Sequence, residues 1–291
     1  MPAYDRAVED LGNIVALEHV NVMVPDQRLA TLFYATGLGL TRDPFLFTGV
    51  DNMWMNVGRS QFHLPTGGPQ VFRGRIGLVV ADLDALVRRL EKVRPLLAET
   101  HFSYTRASGH VDAVCPWGNM IRCHAPDERR FGRMRLGMPY VEFDVPAGSA
   151  AGIAAFYREI LRAPARVSVE QGASVAYAAS GQWQELRFRE STAPQPAYDG
   201  HHLQVYVAKF SQPYFALKER GLICEESDQH QYRFRDIVDP ASGKVLFAIE
   251  HEIRSMRHPL YARTLINRNP AQINVRYAPG YDAVAWDSPL D

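Results

Sequence analysis

The chain lacks a charge excess of either sign: 32 Lys and Arg stand against 32 Asp and Glu in 291 residues, so the formal net charge is 32 − 32 = 0. A nucleic-acid partner would call for a basic footprint and a solvating tail for an acidic one, and neither is expected here. No run of 18 apolar residues occurs, which argues against a membrane partner. The opening segment Met1-Pro-Ala-Tyr-Asp-Arg6 is polar where a secretory leader would be apolar. Cysteine is scarce as well. Cys115, Cys123 and Cys224 form no C-x-x-C pair and leave one thiol over, so no disulfide framework is expected. Together these absences predict a reduced, cytoplasmic, globular protein.

What is present is a repeat, and repeats decide the organisation before single elements do. The strand-like segment Leu17–Val24 ends at Pro25-Asp26 and leads into a helical stretch with Leu29, Leu32, Phe33 and Tyr34, closed by Gly37-Leu-Gly39. A second copy starts at Arg75–Val80 and continues into a helix whose Leu83, Leu86, Val87, Leu90 and Val93 share one face. Tyr140–Val145 followed by Ile153, Phe156, Tyr157 and Ile160 makes a third. His202–Val207 followed by 213–221 makes a fourth, so the copies recur about every 60 residues. Short alternating strands follow each helix, with turn signals at Pro116-Trp-Gly118 and Asp239-Pro-Ala-Ser-Gly243. The unit reads β-α-β-β-β, four times over. The charged, proline-bearing stretch 125–130 is the expected boundary between two halves, 14–126 and 135–255, with 256–291 as an extended tail.

The pattern Leu17-x-His19-Val-x-Val-x-Val-Pro-Asp26, then Phe33-Tyr34 and Gly37-Leu-Gly39, resembles the vicinal oxygen chelate superfamily of glyoxalase I, extradiol dioxygenases and bleomycin- and fosfomycin-resistance proteins. Phe156-Tyr157 repeats the helix signature, and Pro116-Trp-Gly-Asn119 is similar to the family's Asp-Pro-x-Gly-Asn turn with Cys115 in place of the Asp. The resemblance spans about 14–255. It implies an α+β fold in which modules pair into two curved, cup-shaped mixed sheets with helices outside. Neighbouring modules are expected to pair, one with two and three with four.

Side chains alternate across a strand, so apolar positions on the helix-covered face assign the others to a cup. In the N-terminal half this leaves His19, Asn21, Gln61, His63, Arg75, Arg122 and His124 facing inward; in the C-terminal half it leaves Tyr140, Glu142, Glu185, Arg187, His202 and Glu250. The resemblance implies that one divalent first-row ion (Fe, Mn, Zn, Ni or Co) and no nucleotide cofactor would sit among such residues, on first and last strands of paired modules. His19, His63 and His124 are the expected ligands. Arg75, Arg122, Gln61 and Asn21 are then expected to bind substrate, a fixed cation suiting an anionic group. A second-cup alternative uses His202, Glu250 and Glu142. Two functions are open: a metal-dependent dioxygenase, isomerase or lyase acting on a small substrate with vicinal oxygens, or a metal-free small-molecule binding protein of the resistance type. The sequence leaves a homo-oligomer open.

Overall fold

The computed structural model describes residues 4–46, 49–273, 275, 276 and 278. Much of the proposed tail therefore lies outside the described residues. Four modules are present. The first is β1 (Ile14–Asn21), α1 (Gln27–Ala30) running on into a π-helical turn (Thr31–Gly37), then β2 (Thr41–Arg42), β3 (Asn52–Val57) and β4 (Ser60–Pro65). The second is β5 (Gly74–Val79), α2 (Leu83–Val93), β6 (Ser103–Ala107), β7 (His110–Val114) and β8 (Met120–His124). After the short α3 (Glu128–Phe131) come β9 (Gly137–Pro146), α4 (Ala150–Glu159), β10 (Ala165–Glu170), β11 (Ala173–Ala179) and β12 (Glu185–Ser191). The last module is β13 (His202–Val207), α5 (Ser211–Glu219), β14 (Ile223–Asp228), β15 (Gln231–Val238) and β16 (Val245–Ser255).

Local chemistry fixes where the helices begin. Asp26 and Asp82 stand at the N-caps, where their carboxylates accept from the backbone N–H groups of Arg28 and Leu29, and of Ala85. Gly39 takes φ +80° after the first helix, a left-handed conformation that glycine adopts without Cβ strain. The strands obey the alternation: Val20 on β1 and Val22 just beyond it, Phe62 on β4, Ile76 and Leu78 on β5, Phe143 on β9 and Val205 on β13 are all fully buried. Burying each is worth about 1.5–3 kcal/mol. Phe33, Leu86 and Phe156 meet the same core from the helices. A single apolar cluster joins both sheets, with Phe247 of β16 packed on Phe143 and Phe188 at ring separations of 5.6 and 6.2 Å.

The modules do not pair in chain order. One eight-stranded sheet has the order β14-β15-β16-β13-β1-β4-β3-β2 and the other β10-β11-β12-β9-β5-β8-β7-β6. Module one thus joins module four through antiparallel β1 and β13, and module two joins module three through β5 and β9. The expected neighbour pairing is overturned, and each of the segments 14–126 and 135–255 contributes one module to each sheet. Alternation along a strand reports which face a side chain takes, and it carries no information about which module lies alongside. Buried polar anchors tie the two sheets together. The Gln184 side chain donates to the carbonyls of Leu17 and Met138 at 2.9 and 3.1 Å, and that of Asn13 donates to the Leu161 carbonyl at 3.1 Å.

The first part of the tail crosses module one. Asn267 donates to the Gly58 carbonyl at 2.9 Å, Asn56 to that of Ile266 at 2.9 Å, and Arg263 reaches Asp43 at 2.7 Å. No helix among the described residues is long and apolar enough to cross a membrane.

Candidate metal centre

Pairing modules one and four assembles one polar face from β1, β4, β13 and β16. Register places equivalent residues on it. His19 pairs with Gln61 and Asn21 with His63, while His202 pairs with Glu250 and Gln204 with Glu252. Across the seam, His19 lies opposite Gln204 and Asn21 opposite His202. The approximate two-fold symmetry of such a sheet therefore matches His19 with His202 and His63 with Glu252. All four face the same way.

His19, His202 and Glu252 offer one nitrogen or oxygen each, all within 4.8 Å of one another, and all three side chains are buried. Ring centroids of His19 and His202 lie 6.1 Å apart, and those of His19 and His63 5.9 Å. His63 shares this face, but its ring is engaged elsewhere. It stacks on Trp54 at 3.9 Å, and its Nε2 sits 2.7 Å from the Asn52 Oδ1.

A bulge in β1 supplies the support for His19. Leu17 and His19 lie opposite consecutive residues of β13, so Glu18 is the extra residue, and its carboxylate joins the His19 ring on the polar face. His19 Nδ1 stands 3.2 Å from Glu18 Oε2, whereas His19 Nε2 is buried with no hydrogen-bond partner. A carboxylate on one ring nitrogen holds the proton there and leaves the other nitrogen's lone pair free, as in metal-bound histidines. Burial also keeps these rings neutral: the His19 and His202 pKa values are pushed well below the ordinary range, and that of His63 to about 2. A neutral imidazole is the form that ligates a metal.

Glu252 is buried and held by two guanidiniums, at 2.6 Å from Arg254 and 2.7 Å from Arg233. Arg233 also binds Glu250 at 2.8 Å, and Arg254 reaches Glu18 at 3.3 Å. Desolvation raises the Glu252 pKa, opposed by both arginines. With neutral imidazoles, carboxylates Glu18, Glu250 and Glu252 against Arg233 and Arg254 give −3 + 2 = −1. A divalent ion would turn that to about +1. Each Glu252 oxygen carries two lone pairs and so can serve a guanidinium and a metal together. The residues present fit the ion.

The inward faces read from sequence agree with the structure, but the grouping does not. His124 lies on β8 in the other sheet, where its Nε2 is 2.9 Å from the Tyr140 hydroxyl. It cannot converge with His19 and His63. Arg75 and Arg122 stand in that other sheet too, paired with Glu142 at 2.7 Å and Asp112 at 2.7 Å, so neither serves the His19 face. Glu142 is likewise separated from His202 by the pairing. Gln61 and Asn21 do flank His19; Gln61 donates to Asn56 and Asp43 at 2.6 and 3.2 Å, and Asn21 Oδ1 is buried without a partner. Glu250 and Glu252 each lie 3.7 Å from His202, and Glu252, one alternation further on, is the carboxylate that also comes within 4.8 Å of the His19 nitrogen. Glu252, Glu18, Arg233 and Arg254 were missed. Extending the β16 alternation past Glu250 would have found Glu252 and Arg254; the bulge that turns Glu18 inward leaves no sequence mark.

No protein-family model matches the chain, and no curated protein sequence matches it. Solved structures do. A candidate dioxygenase from Bacillus subtilis superposes with a TM-score of 0.55 at 14% identity, over 84% of this chain and 86% of that one. Glyoxalase I from Zea mays superposes with a TM-score of 0.54 at 13% identity, over 82% of this chain and 92% of that one. The chain shares its fold with these dioxygenase and glyoxalase structures. At these identities the likeness concerns the fold; chemistry rests on the side chains.

Proposed function

We propose that the chain is a divalent-metal enzyme acting on a small substrate with vicinal oxygens, with His19, His202 and Glu252 as ligands. Two histidines and one carboxylate leaving open positions form the donor set typical of non-haem Fe(II) oxygenases, which favours oxidative ring cleavage over isomerase or lyase chemistry. The observation that carries this reading is the His19 ring: Nδ1 held by Glu18, Nε2 buried and free, and two further donors within 4.8 Å. When bound, the metal would polarise two neighbouring substrate oxygens and acidify them. Around it, Arg233 and Arg254 fix the Glu252 carboxylate, and Gln61 and Asn21 offer neutral hydrogen-bonding groups beside the ligands. His63, neutral and stacked on Trp54, donates its Nε2–H to the Asn52 Oδ1, which holds the ring beside the ligands.

One observation favours a second reading. Arg233 and Arg254 already pair with Glu250 and Glu252 without a metal, as a metal-free binding protein of the resistance type would require. Metal analysis after tag-free purification and anaerobic loading with Fe(II) or Mn(II) separates the two. Stoichiometric metal in the wild type, lost in His202→Ala and Glu252→Ala variants that keep their melting temperature, supports the enzyme. Oxygen uptake with a panel of catechols then tests the ring-cleaving chemistry. A wild-type chain that takes up none of the ions leaves the binding-protein reading.

A further inference from the structure

The second sheet carries the same framework with opposite chemistry at its key positions. Arg75 pairs with Met120 and Gly77 with Arg122, as His19 pairs with Gln61 and Asn21 with His63. Across the seam Arg75 lies opposite Glu142 and Gly77 opposite Tyr140, matching His19 opposite Gln204 and Asn21 opposite His202. Glu142 in turn pairs with Arg187, as Gln204 pairs with Glu252. The positions that hold His19, His63, His202 and Glu252 in one sheet therefore hold Arg75, Arg122, Tyr140 and Arg187 in the other. These four line one cavity of about 570 Å³, together with Arg130, Arg189, His124 and Glu142.

We propose that this cavity is a second ligand site, for a small polyanion bearing phosphate or carboxylate groups. Where one cup gathers metal ligands, this one gathers guanidiniums, which bind oxyanions through paired N–H donors. Five arginines line it against two glutamates, Glu142 and Glu170. Asp112 and Glu185 behind them bring the sum to +5 − 4 = +1. Burial and the neighbouring Glu142 raise the pKa of the Asp144 carboxyl on the same face, which taken as charged brings the sum to 5 − 5 = 0. Arg75, Arg122, Arg187 and Arg189 are held by carboxylates or a ring, while Arg130 is exposed. The Arg187 guanidinium lies 3.9 Å over the Tyr140 ring, whose space exists because Gly77 has no side chain: a Cβ there would meet the ring at 2.3 Å. One polar atom is left unsatisfied on these walls: His124 Nδ1 is buried without a hydrogen-bond partner, while Arg189 Nε reaches Glu142 only at 3.5 Å. Among the described residues Arg130 has no carboxylate partner, its guanidinium lying over Phe131 at 4.7 Å.

The test is calorimetric titration of the full chain with inorganic pyrophosphate and, separately, citrate, which distinguishes a phosphate from a carboxylate ligand. Running it on His202→Ala as well silences anion binding through any metal at the first site, so the two proposals can fail separately. Binding of at least one anion, weakened by added salt and retained in His202→Ala, is expected. Arg130→Gln and Arg122→Gln should each weaken it about tenfold, the scale of one charge-assisted contact, and Glu142→Gln should tighten it. Each variant's melting temperature identifies a loss due to unfolding. No binding of either anion, or affinities indifferent to Arg130→Gln, Arg122→Gln and Glu142→Gln in folded protein, would overturn the proposal.

Discussion

Replacing Glu18 with Gln preserves the shape at the bulge and removes one buried charge, so it asks whether the His19 ring is held for a metal. Glu18 Oε2 faces the His19 Nδ1 at 3.2 Å and Arg254 at 3.3 Å, and Oε1 accepts from Tyr206 at 3.3 Å. Loss of an outer carboxylate on a metal-binding histidine costs about 10–100-fold in affinity, or about 1.4–2.7 kcal/mol. The fold should suffer less than that of a protein with an orphaned ion. Stripping one partner from a buried pair costs about 3–5 kcal/mol when the other charge is abandoned. Arg254 is not abandoned, because it keeps Glu252 at 2.6 Å and Gln231 at 2.9 Å. A stability loss of about 1–2 kcal/mol is expected, a few degrees in melting temperature. The assay is competition between the protein and a chromophoric chelator for Co(II), with Tyr206→Phe as a control that touches Glu18 and leaves His19 Nδ1 its partner. Wild-type affinity in Glu18→Gln, alongside abolished binding in His19→Ala, would refute the idea that Glu18 sets the ligating nitrogen.

His63→Ala should retain stoichiometric metal if three ligands suffice, since the ring is committed to Trp54 and Asn52; loss of metal by elemental analysis would make it a fourth ligand. Of three free cysteines only Cys224 is exposed, and burial raises the Cys123 thiol to about 12, so one thiol per chain should react with a disulfide reagent near pH 8 and three after denaturation. Gly77→Ala should displace the Tyr140 ring and cost at least about 1 kcal/mol by denaturant titration, because the neighbour is a ring held under Arg187. A chain cut to 1–130 should fail to give a cooperative thermal transition, for β1 and β5 would each lose the strand opposite, β13 and β9.

Faces were legible from sequence because each strand carries its own evidence. Val20 and Val22 on one side oblige His19 and Asn21 onto the other, whatever lies alongside. Cups were not legible, because a cup belongs to two modules and the seam between β1 and β13 joins residues some 180 positions apart. The preference for neighbours in chain order, a general tendency of folds, pointed to the wrong partner here. That single step moved His124, Arg75 and Arg122 away from His19 and brought in His202. Glu252 was one alternation beyond the residue chosen, and the long apolar run of β16 obscured where the polar face resumes.

Pairing the outer modules has a consequence for how the site comes into being. His19 and His63 come from the start of the chain and His202 and Glu252 from its far part, so none of the seam contacts in the first sheet can form until β13 and β16 exist. Modules two and three are contiguous and can close their sheet earlier, around Arg75 and Glu142. Loop closure disfavours distant pairings kinetically more than it disfavours them at equilibrium. The metal-type face should therefore be the last part of the chain to gain hydrogen-exchange protection on refolding. Amides of β1 and β13 protected before those of β5 and β9 would contradict that order. The tail that follows module four joins the same two modules, since Asn267 and Arg263 grip Gly58 and Asp43 of module one.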